Sequence, residues 1–512
     1  MRLFTTVAAM RCYLNIHRSK TPQVAIGFVP TMGSLHPGHL SLIERARVEN
    51  AVVVVSIFVN PLQFGPLEDL KQYPRSLEQD LSLCEQAGVD VVFTPSGEEI
   101  LGLDHQQQTT VVPPSNLISV LCGPNRPGHF PGVTTIVAKF LNIIEPHRVY
   151  LGRKDAQQLA IIRRMVTDLH WPIEIVACPI IREASGLAYS SRNQYLTPQE
   201  KEQATVLYRA LGKGKQVFLS GNSDAEAILA AVHAELATTT EVKLEYLQLV
   251  DPDTMAPLTF VREVGLLAIA ARVNTTRLID NVILRNRKPI LAIDGPAGAG
   301  KSTVTRQVAQ QLNLLFLDTG AMYRAVTWLV LEMGIDITDQ PAVAELVHQS
   351  QIELKPREDQ LEIYINSRNV TAEIRSQQVT ANVSAIAAQP AVRESLVEQQ
   401  KAYGRTGGVV AEGRDIGTYV FPDAELKIFL TASVKERSQR RQLELQQQGQ
   451  GEISLEQIEQ DIAQRDYKDS TRSIAPLRKA ADAIEIKTDG LTIEQVTELI
   501  IRLYHDKTTP LT

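Results

Sequence analysis

Two groups of residues in this chain have the types and spacing needed to grip a triphosphate, one in each half. His36-Pro37-Gly38-His39 follows an apolar run, Val24–Val29, and a turn at Pro30–Gly33. Gly295-Pro296-Ala297-Gly298-Ala299-Gly300-Lys301-Ser302 follows a second apolar run, Ile290–Asp294. In each case the loop leads into a helical pattern. A helix N-terminus carries roughly half a positive charge and unpaired N–H groups, which suits phosphate oxygens. One fold rarely carries both loops, so the chain reads as two fused nucleotide enzymes.

The second loop fits G-x-x-x-x-G-K-[ST] at every fixed position. Gly295, Gly298 and Gly300 let the backbone wrap a phosphate closely. Lys301 is expected at the β- and γ-phosphates, Ser302 at a Mg²⁺ ion, and Thr303 beside them in the ATP site. Val304, Val308 and Leu312 recur as an apolar stripe for packing on a sheet. The loop alone does not separate a kinase from a GTPase or a motor. Later segments favour a monophosphate acceptor: Asp318–Arg324, Glu412–Gly417, the arginines Arg437, Arg440 and Arg441, then Arg465-Asp466 and Arg472, most of them after successive strands. Several arginines are needed to neutralise an acceptor dianion and the charge of phosphoryl transfer.

In the first half, Pro37 opens the helical segment, which brings His36 and His39 to its N-terminus. Imidazoles there can donate hydrogen bonds to phosphates as pyrophosphate leaves. A metal pair is the alternative for two such histidines, but the HExxH spacing is absent. Gly152-Arg153-Lys154-Asp155 and Tyr189-Ser190-Ser191-Arg192 add cations and hydroxyls, suiting attack at the α-phosphorus. Asn60, Gln63, Gln157 and Gln158 offer neutral amides for a small hydroxy acid.

These groups require elements to hold them. At 512 residues the chain exceeds what one core usually serves. Apolar runs at Val24–Val29, Ala51–Val59, Val89–Phe93, His147–Leu151 and Ile173–Ala177 alternate with helical patterns, predicting a parallel sheet. After Ala184 the pattern becomes a smaller α+β subdomain, with helices near Pro198–Leu219 and Ser223–Thr238 and strands near Glu245–Val250 and Gly265–Ala271. Arg277–Asn281 closes that unit, and Asn286-Arg287-Lys288-Pro289 is a polar junction. The expected domains are 1–281 (1–184 and 185–281), a junction at 282–288, and 289–512. The second half restarts the alternation, with a β-rich insert near Gln351–Val370.

A net charge of -6 excludes a nucleic-acid footprint. Cys12, Cys84, Cys122 and Cys178 form no CxxC pair, so neither a zinc knuckle nor a disulfide framework is expected, and a reducing cytoplasm is. No apolar stretch approaches the ~18 residues of a membrane helix.

The motifs carry two resemblances. GPAGAGKS, DTGAMYRA, EGRDIGTYVFPDA and RDYKDSTRSIAPL are similar to cytidylate kinase of the bacterial type across Lys288–Thr512. The resemblance implies a P-loop nucleoside-monophosphate-kinase fold with a small insert, which phosphorylates CMP or dCMP with ATP. It assigns Arg324, Arg414 and Arg472 to the CMP phosphate with Thr319 beside them. Ser384, Arg393 and Asp415 would read the cytosine, Arg465 and Asp469 the sugar, and Arg437 and Arg441 would lie on a lid over ATP. Thr319 departs from the Ser of some members and keeps the hydroxyl.

VPTMGSLHPGH, SIFVNPLQF, RPGHFPGV, GRKDAQQL, SSRNQYL and RLIDN together resemble pantothenate synthetase, pantoate–β-alanine ligase, over Met1–Asn281. The resemblance implies an α/β Rossmann-like nucleotidyltransferase fold with a small α+β subdomain, acting through a pantoyl adenylate. ATP would meet Met32, Gly33, Ser34, Leu35, His36, Pro37, Gly38, His39, Gly152, Arg153, Lys154 and Asp155. The Ile181 backbone and Tyr189, Ser190, Ser191 and Arg192 would complete that site. Gln63, Gln158 and Asn60 would serve pantoate and β-alanine. His39 would be the proton donor, with His36 and Lys154 steadying the phosphates. Tyr189 departs from the usual Met or Leu, and Ser185 from the usual Asp. Mg²⁺ with ATP is expected, with no organic cofactor. The implied partners are ATP, pantoate, β-alanine and CMP or dCMP, with no nucleic acid and no membrane. A homodimer through the first half is implied as well.

Overall fold

A computed structural model describes residues 1–20, 24–65, 70–103, 108–357, 361–447, 454–471 and 475–508. The chain divides into two compact units, Met1–Asn286 and Arg287–Thr512.

The first unit is built on six strands: β1 (Arg2–Phe4), β2 (Ile26–Thr31), β3 (Val52–Ile57), β4 (Val91–Phe93), β5 (Arg148–Gly152) and β6 (Glu174–Cys178). They pair in the order β1-β4-β3-β2-β5-β6, every pair parallel. Strand β1 was not foreseen: three residues are too few for a periodic signal, and it is placed by pairing with Val91–Phe93. Val52–Val55 are buried in succession, as a strand covered on both faces requires. Phe28, Val54, Phe140 and Ile144 pack on one face. Val29, Val53, Val55, Ile43 and Ala46 pack on the other. The chain leaves β2 toward β3 on one side, while β5 lies on the other. This reversal opens a crevice at the carboxyl ends of β2 and β5, where such sheets hold ligands.

Beyond β6 lies an antiparallel sheet of β7 (Val242–Val250), β8 (Val264–Val273) and β9 (Thr276–Arg285). The helices Val206–Leu219 and Ala225–Leu236 bury their apolar faces on it through Leu207, Leu211, Ile228 and Val232 against Leu267 and Ile269. The expected end of this unit at Asn281 is corrected. Strand β9 runs on to Arg285 because Val282, Ile283, Leu284 and Arg285 pair with Leu267, Leu266, Gly265 and Val264. Most of the expected junction is therefore strand.

The second unit has β10 (Ile290–Asp294), β11 (Leu315–Asp318), the insert strands β12 (Ile352–Pro356), β13 (Leu361–Ile365) and β14 (Arg368–Asn369), then β15 (Val409–Gly413), β16 (Leu426–Thr431) and β17 (Ile484–Lys487). The main sheet runs β11-β15-β10-β16-β17, all parallel, and the insert is a separate antiparallel sheet. Central β10 is wholly buried. The helices Lys301–Leu312 and Ile493–Thr508 cover one face through Val304, Val308, Val496 and Ile500. The helix Thr319–Glu332 covers the other through Met322, Ala325 and Val326. The strand order reverses at β10, so the glycine loop after it sits at this sheet's own switch point.

Candidate active sites

In the first unit the helix Pro37–Glu49 starts where β2 ends. His36 is its cap: the Gly38 N–H donates to His36 Nδ1 at 3.1 Å. That bond fixes the neutral tautomer with its proton on Nε2, the nitrogen left to face a ligand. The His36 and His39 rings stack with centroids 4.0 Å apart, and Tyr189 lies near-parallel to His36 at 6.1 Å. Burial, then the charge of Lys154, lowers the His36 pKa to about 4. Burial, His36 and Lys154 push His39 well below its ordinary value, and His39 Nδ1 is a buried atom without a partner. Both rings are therefore neutral hydrogen-bond donors at pH 7.

The loop before the helix is held by a residue the sequence reading missed. Asp80, 1% exposed, accepts from the Ser34 and Leu35 N–H groups, each at 2.8 Å. Gln194 donates to Ser34 Oγ at 2.8 Å. Nothing in the local pattern marks Asp80, because its partner lies 46 residues earlier.

Opposite this helix, β5 delivers Gly152 and the short turn Arg153–Asp155. Lys154 pairs with Asp155 at 2.9 Å. Burial opposes the Asp155 charge, but Lys154, Arg192 and His129 outweigh it and lower the Asp155 pKa. Asn281 donates to the Arg153 and Lys154 carbonyls, both at 2.9 Å, and Asp280 binds Arg182 bidentately. The RLIDN segment thus ties strand β9 to the turn that carries Lys154. The Tyr189 N–H donates to the Ile181 carbonyl at 3.0 Å. Ser190 caps the turn Ser191–Tyr195, and Ser191 Oγ meets the Tyr73 hydroxyl at 3.0 Å.

A cleft open to solvent includes Lys154, Asp155, Gln158, Ser190 and Arg192 in its wall. Gln157 does not offer its amide there, contrary to the expectation. It is buried, accepting from the Cys122 N–H and donating to the Leu117 and Val120 carbonyls. Asn60 is buried too, bonded to Gly132 O and Gln63 Oε1, so it shapes the turn carrying Gln63. Gln63 Nε2 contacts Met32 Sδ at 2.7 Å. Gly132 is needed here: a Cβ would fall 2.2 Å from the Leu62 carbonyl. Arg126 can only donate, so its 3.0 Å bond to His129 Nε2 places the His129 proton on Nδ1, which donates to Gln63 O at 2.9 Å. These two residues, inside RPGHFPGV, were not singled out individually in the sequence.

In the second unit Gly295, Gly298 and Gly300 all have positive φ. At Gly295 a Cβ would lie 2.0 Å from the Leu430 carbonyl, so the loop passes the neighbouring strand as only glycine can. Lys301 is buried and donates to the Pro296 carbonyl at 2.7 Å. Burial and Arg414 push its pKa well below the usual value. Ser302 is the second residue of the following helix and lies beside the Glu412 carboxylate. Glu412 is buried with Oε2 unpartnered, and burial followed by Asp318 raises its pKa to about 7. Asp294 accepts from the Ile416 and Gly417 N–H groups, both at 2.7 Å, and burial raises its pKa to about 6.

Arginines converge on this loop from three helices and a strand end. Arg414 and Arg465 both act on Lys301, and Arg465 in turn feels Arg414, Asp469, Arg324 and Arg441. Arg414 Nε donates to Asp469 at 2.9 Å. Thr319 Oγ1 donates to the Glu412 carbonyl at 2.7 Å. Arg393 is fully buried in an ion pair with Asp415 and lies 5.6 Å from the Tyr323 ring. Ser384 is exposed on the helix Gln377–Ala387. Arg437 is buried; it donates to the Ala297 and Ala432 carbonyls, each at 3.0 Å, and pairs with Asp466. It therefore braces the loop from behind. Thr303 is exposed in the helix Lys301–Leu312. Arg472 lies outside the described residues.

A Rossmann-like unit with a histidine-capped phosphate helix and a P-loop unit ringed by arginines define a two-enzyme fusion, a nucleotidyl-transfer ligase followed by a monophosphate kinase. Family models match accordingly: pantoate-beta-alanine ligase over residues 2–283 and cytidylate kinase over 291–506. The bifunctional pantoate ligase/cytidylate kinase of Trichormus variabilis is 59% identical, covering 99% of both chains. That of Synechococcus elongatus is 56% identical over 99% of this chain and 96% of its own. The pantothenate synthetase of Thermus thermophilus, a solved structure, is 46% identical over 55% of this chain and 99% of its own, with a TM-score of 0.52. The chain belongs to the bifunctional pantoate ligase/cytidylate kinase family and is an enzyme with both activities. No helix among the described residues is long and apolar enough to cross a membrane.

Proposed function

We propose that Met1–Asn286 carries the ligase site and Arg287–Thr512 the kinase site, each complete within its own unit. In the ligase a pantoate carboxylate oxygen attacks the α-phosphorus of ATP. The bond to the β-phosphate oxygen breaks and pyrophosphate leaves. The amine of β-alanine then attacks the acyl carbon, gives up a proton and expels AMP. His36 and His39 donate from neutral rings to oxygens that gain charge as pyrophosphate departs, and Lys154 and Arg192 neutralise the chain of phosphates. Gln63 and Gln158 bind pantoate through neutral amides, so the attacking carboxylate keeps its charge. The observation that carries this half is the paired, partly unpartnered imidazoles at a helix N-terminus facing Lys154.

In the kinase a CMP phosphate oxygen attacks the γ-phosphorus and ADP leaves. Catalysis is chiefly positioning and charge neutralisation. Lys301 leaves the Pro296 carbonyl for the β- and γ-oxygens. Arg324 and Arg414 gather the acceptor phosphate, with Arg472 and with Thr319 beside them, while Arg393 and Asp415 form a fixed polar edge for cytosine. Asp469 and Arg465 meet the sugar, and Arg441 approaches ATP from its own helix. Mg²⁺ fits these residues: the Ser302 hydroxyl would bind it directly, and the unpartnered Glu412 Oε2 would hold water around it. Bound there, the ion supplies charge neutralisation at the β- and γ-oxygens. The carrying observation is the pair Arg414 and Arg465 acting on Lys301, with Arg324 and Arg441 grouped around Arg465.

Pantoate-dependent exchange of pyrophosphate into ATP without β-alanine, and AMP release only with it, tests the first reading. A panel of CMP, dCMP, UMP, AMP and GMP tests the second; UMP or AMP exceeding CMP overturns it. The four cysteines are free, which supports a cytoplasmic setting. Dimerisation through the ligase unit follows from the family resemblance, and sedimentation checks it.

A further inference from the structure

Beside the acceptor end of the kinase cleft, Arg375 is a cation that the reading above leaves unused. Arg324 Nη1 donates to the Ile374 carbonyl at 3.4 Å and to Thr380 Oγ1 at 2.9 Å, which ties its guanidinium to the segment after the insert sheet. The next residue is Arg375, at the end of the turn Glu373–Arg375. Its side chain is exposed and has no hydrogen bond or ion pair among the described residues. Its charge is felt at both Asp318 and Arg324, the residues that begin and line the helix Thr319–Glu332. Arg324 and Arg306 also act on Asp318, and Arg306 lies against the Phe316 ring, 5.9 Å from its centroid.

Two guanidinium groups on touching segments repel each other, and Asp318 is the carboxylate that both feel. An anion bound between them removes that repulsion and gains charge-assisted hydrogen bonds. We propose that Arg375 binds the phosphate of the acceptor nucleotide, gripping it from the turn after the insert sheet while Arg324 grips it from the helix Thr319–Glu332. This rests on the reading of the cleft as the CMP site. The turn that follows the insert sheet then contributes directly to selecting a phosphorylated acceptor over a nucleoside.

The test uses the full chain with Arg375→Gln and Arg375→Lys. Calorimetry gives the affinities for CMP and for cytidine, which shares the base and sugar but lacks the phosphate. Arg375→Gln is expected to weaken CMP about tenfold, as loss of a charge-assisted bond implies. Cytidine affinity and the KM for ATP stay within about twofold, and Arg375→Lys recovers part of the loss. Unchanged CMP affinity overturns the proposal. So does an equal loss for CMP and cytidine, which would make Arg375 a support for the base pocket or the fold. If the wild-type chain prefers another monophosphate, the CMP reading fails by itself, and the same comparison with that monophosphate and its nucleoside judges Arg375.

Discussion

The two phosphate loops occupy equivalent places, at the switch point of a parallel sheet, yet they are braced from opposite sides. In the ligase loop a buried carboxylate, Asp80, takes the N–H groups of Ser34 and Leu35. Those donors are spent on structure, and donation toward the ligand passes to the imidazoles of His36 and His39. In the kinase loop a cation holds the carbonyl side: Arg437 takes Ala297 O, and without ATP Lys301 takes Pro296 O. Bracing a loop by its carbonyls keeps its N–H groups for phosphate. The surrounding charge differs for a matching reason. The ligase joins one polyanion to a small carboxylate, and neutral rings with Lys154 and Arg192 suffice. The kinase must bring two polyanions together, and it is ringed by Arg324, Arg414, Arg441 and Arg465.

Single substitutions should break the two halves independently. Lys301→Ala has the largest expected effect, a loss of CMP phosphorylation on the order of 10³-fold, because it removes the charge nearest the transferred group. Pantothenate formation should stay within about twofold; a joint loss would mean that the sites are not independent. His39→Ala is next: ligase turnover should fall roughly 10²-fold, as for one lost donor to a developing oxyanion, with CMP phosphorylation retained. Steady-state assays of both reactions on each variant check both statements.

How much of this contrast could be read from the residues depended on how local each interaction is. The P-loop, the histidine cap and most strands are encoded over a few consecutive residues, so spacing revealed them. The braces are not. Asp80, Asn281 and Arg437 act on backbone atoms 45, 127 and 140 residues away, and no periodicity marks such partners. Gln157 shows the converse: it borders the same cleft as Gln158, but its amide is spent on the backbone of Leu117, Val120 and Cys122. Strand β9 is not among the strands expected from the sequence, because its charged residues mask an alternation that only pairing with β8 makes plain.

The carboxylate brace can be tested by its removal. Asp80→Ala leaves two loop N–H groups unpaired at a cost of roughly 1–3 kcal/mol each. The loop should loosen, the KM for ATP in the ligase reaction should rise about tenfold, and the KM for ATP in the kinase reaction should not move. An unchanged ligase KM would show that the loop is held without Asp80.

The smallest effect separates the units by the sign of their response to acid. His36 has a native pKa of about 4 against an ordinary 6.5, so below pH 6.5 the unfolded chain binds the extra proton. Its contribution to stability is therefore lost as pH falls from about 6.5 toward about 4. Asp294 has a native pKa of about 6 against 3.8, so between those values the native state holds the extra proton. Its contribution is present at low pH and lost as pH rises through about 6. Between pH 7 and 5 each term is on the order of 1–2 kcal/mol, with opposite sign. Acid should lower the unfolding midpoint of the ligase unit through His36 and raise that of the kinase unit through Asp294. Calorimetric scans at pH 5, 6 and 7 on the wild-type chain, His36→Gln and Asp294→Asn isolate the two terms. Each substitution should flatten the pH response of its own unit and leave the other's slope intact. A kinase-unit slope unchanged by Asp294→Asn would mean that this buried carboxylate stays charged, held by the Ile416 and Gly417 N–H groups and by Lys301.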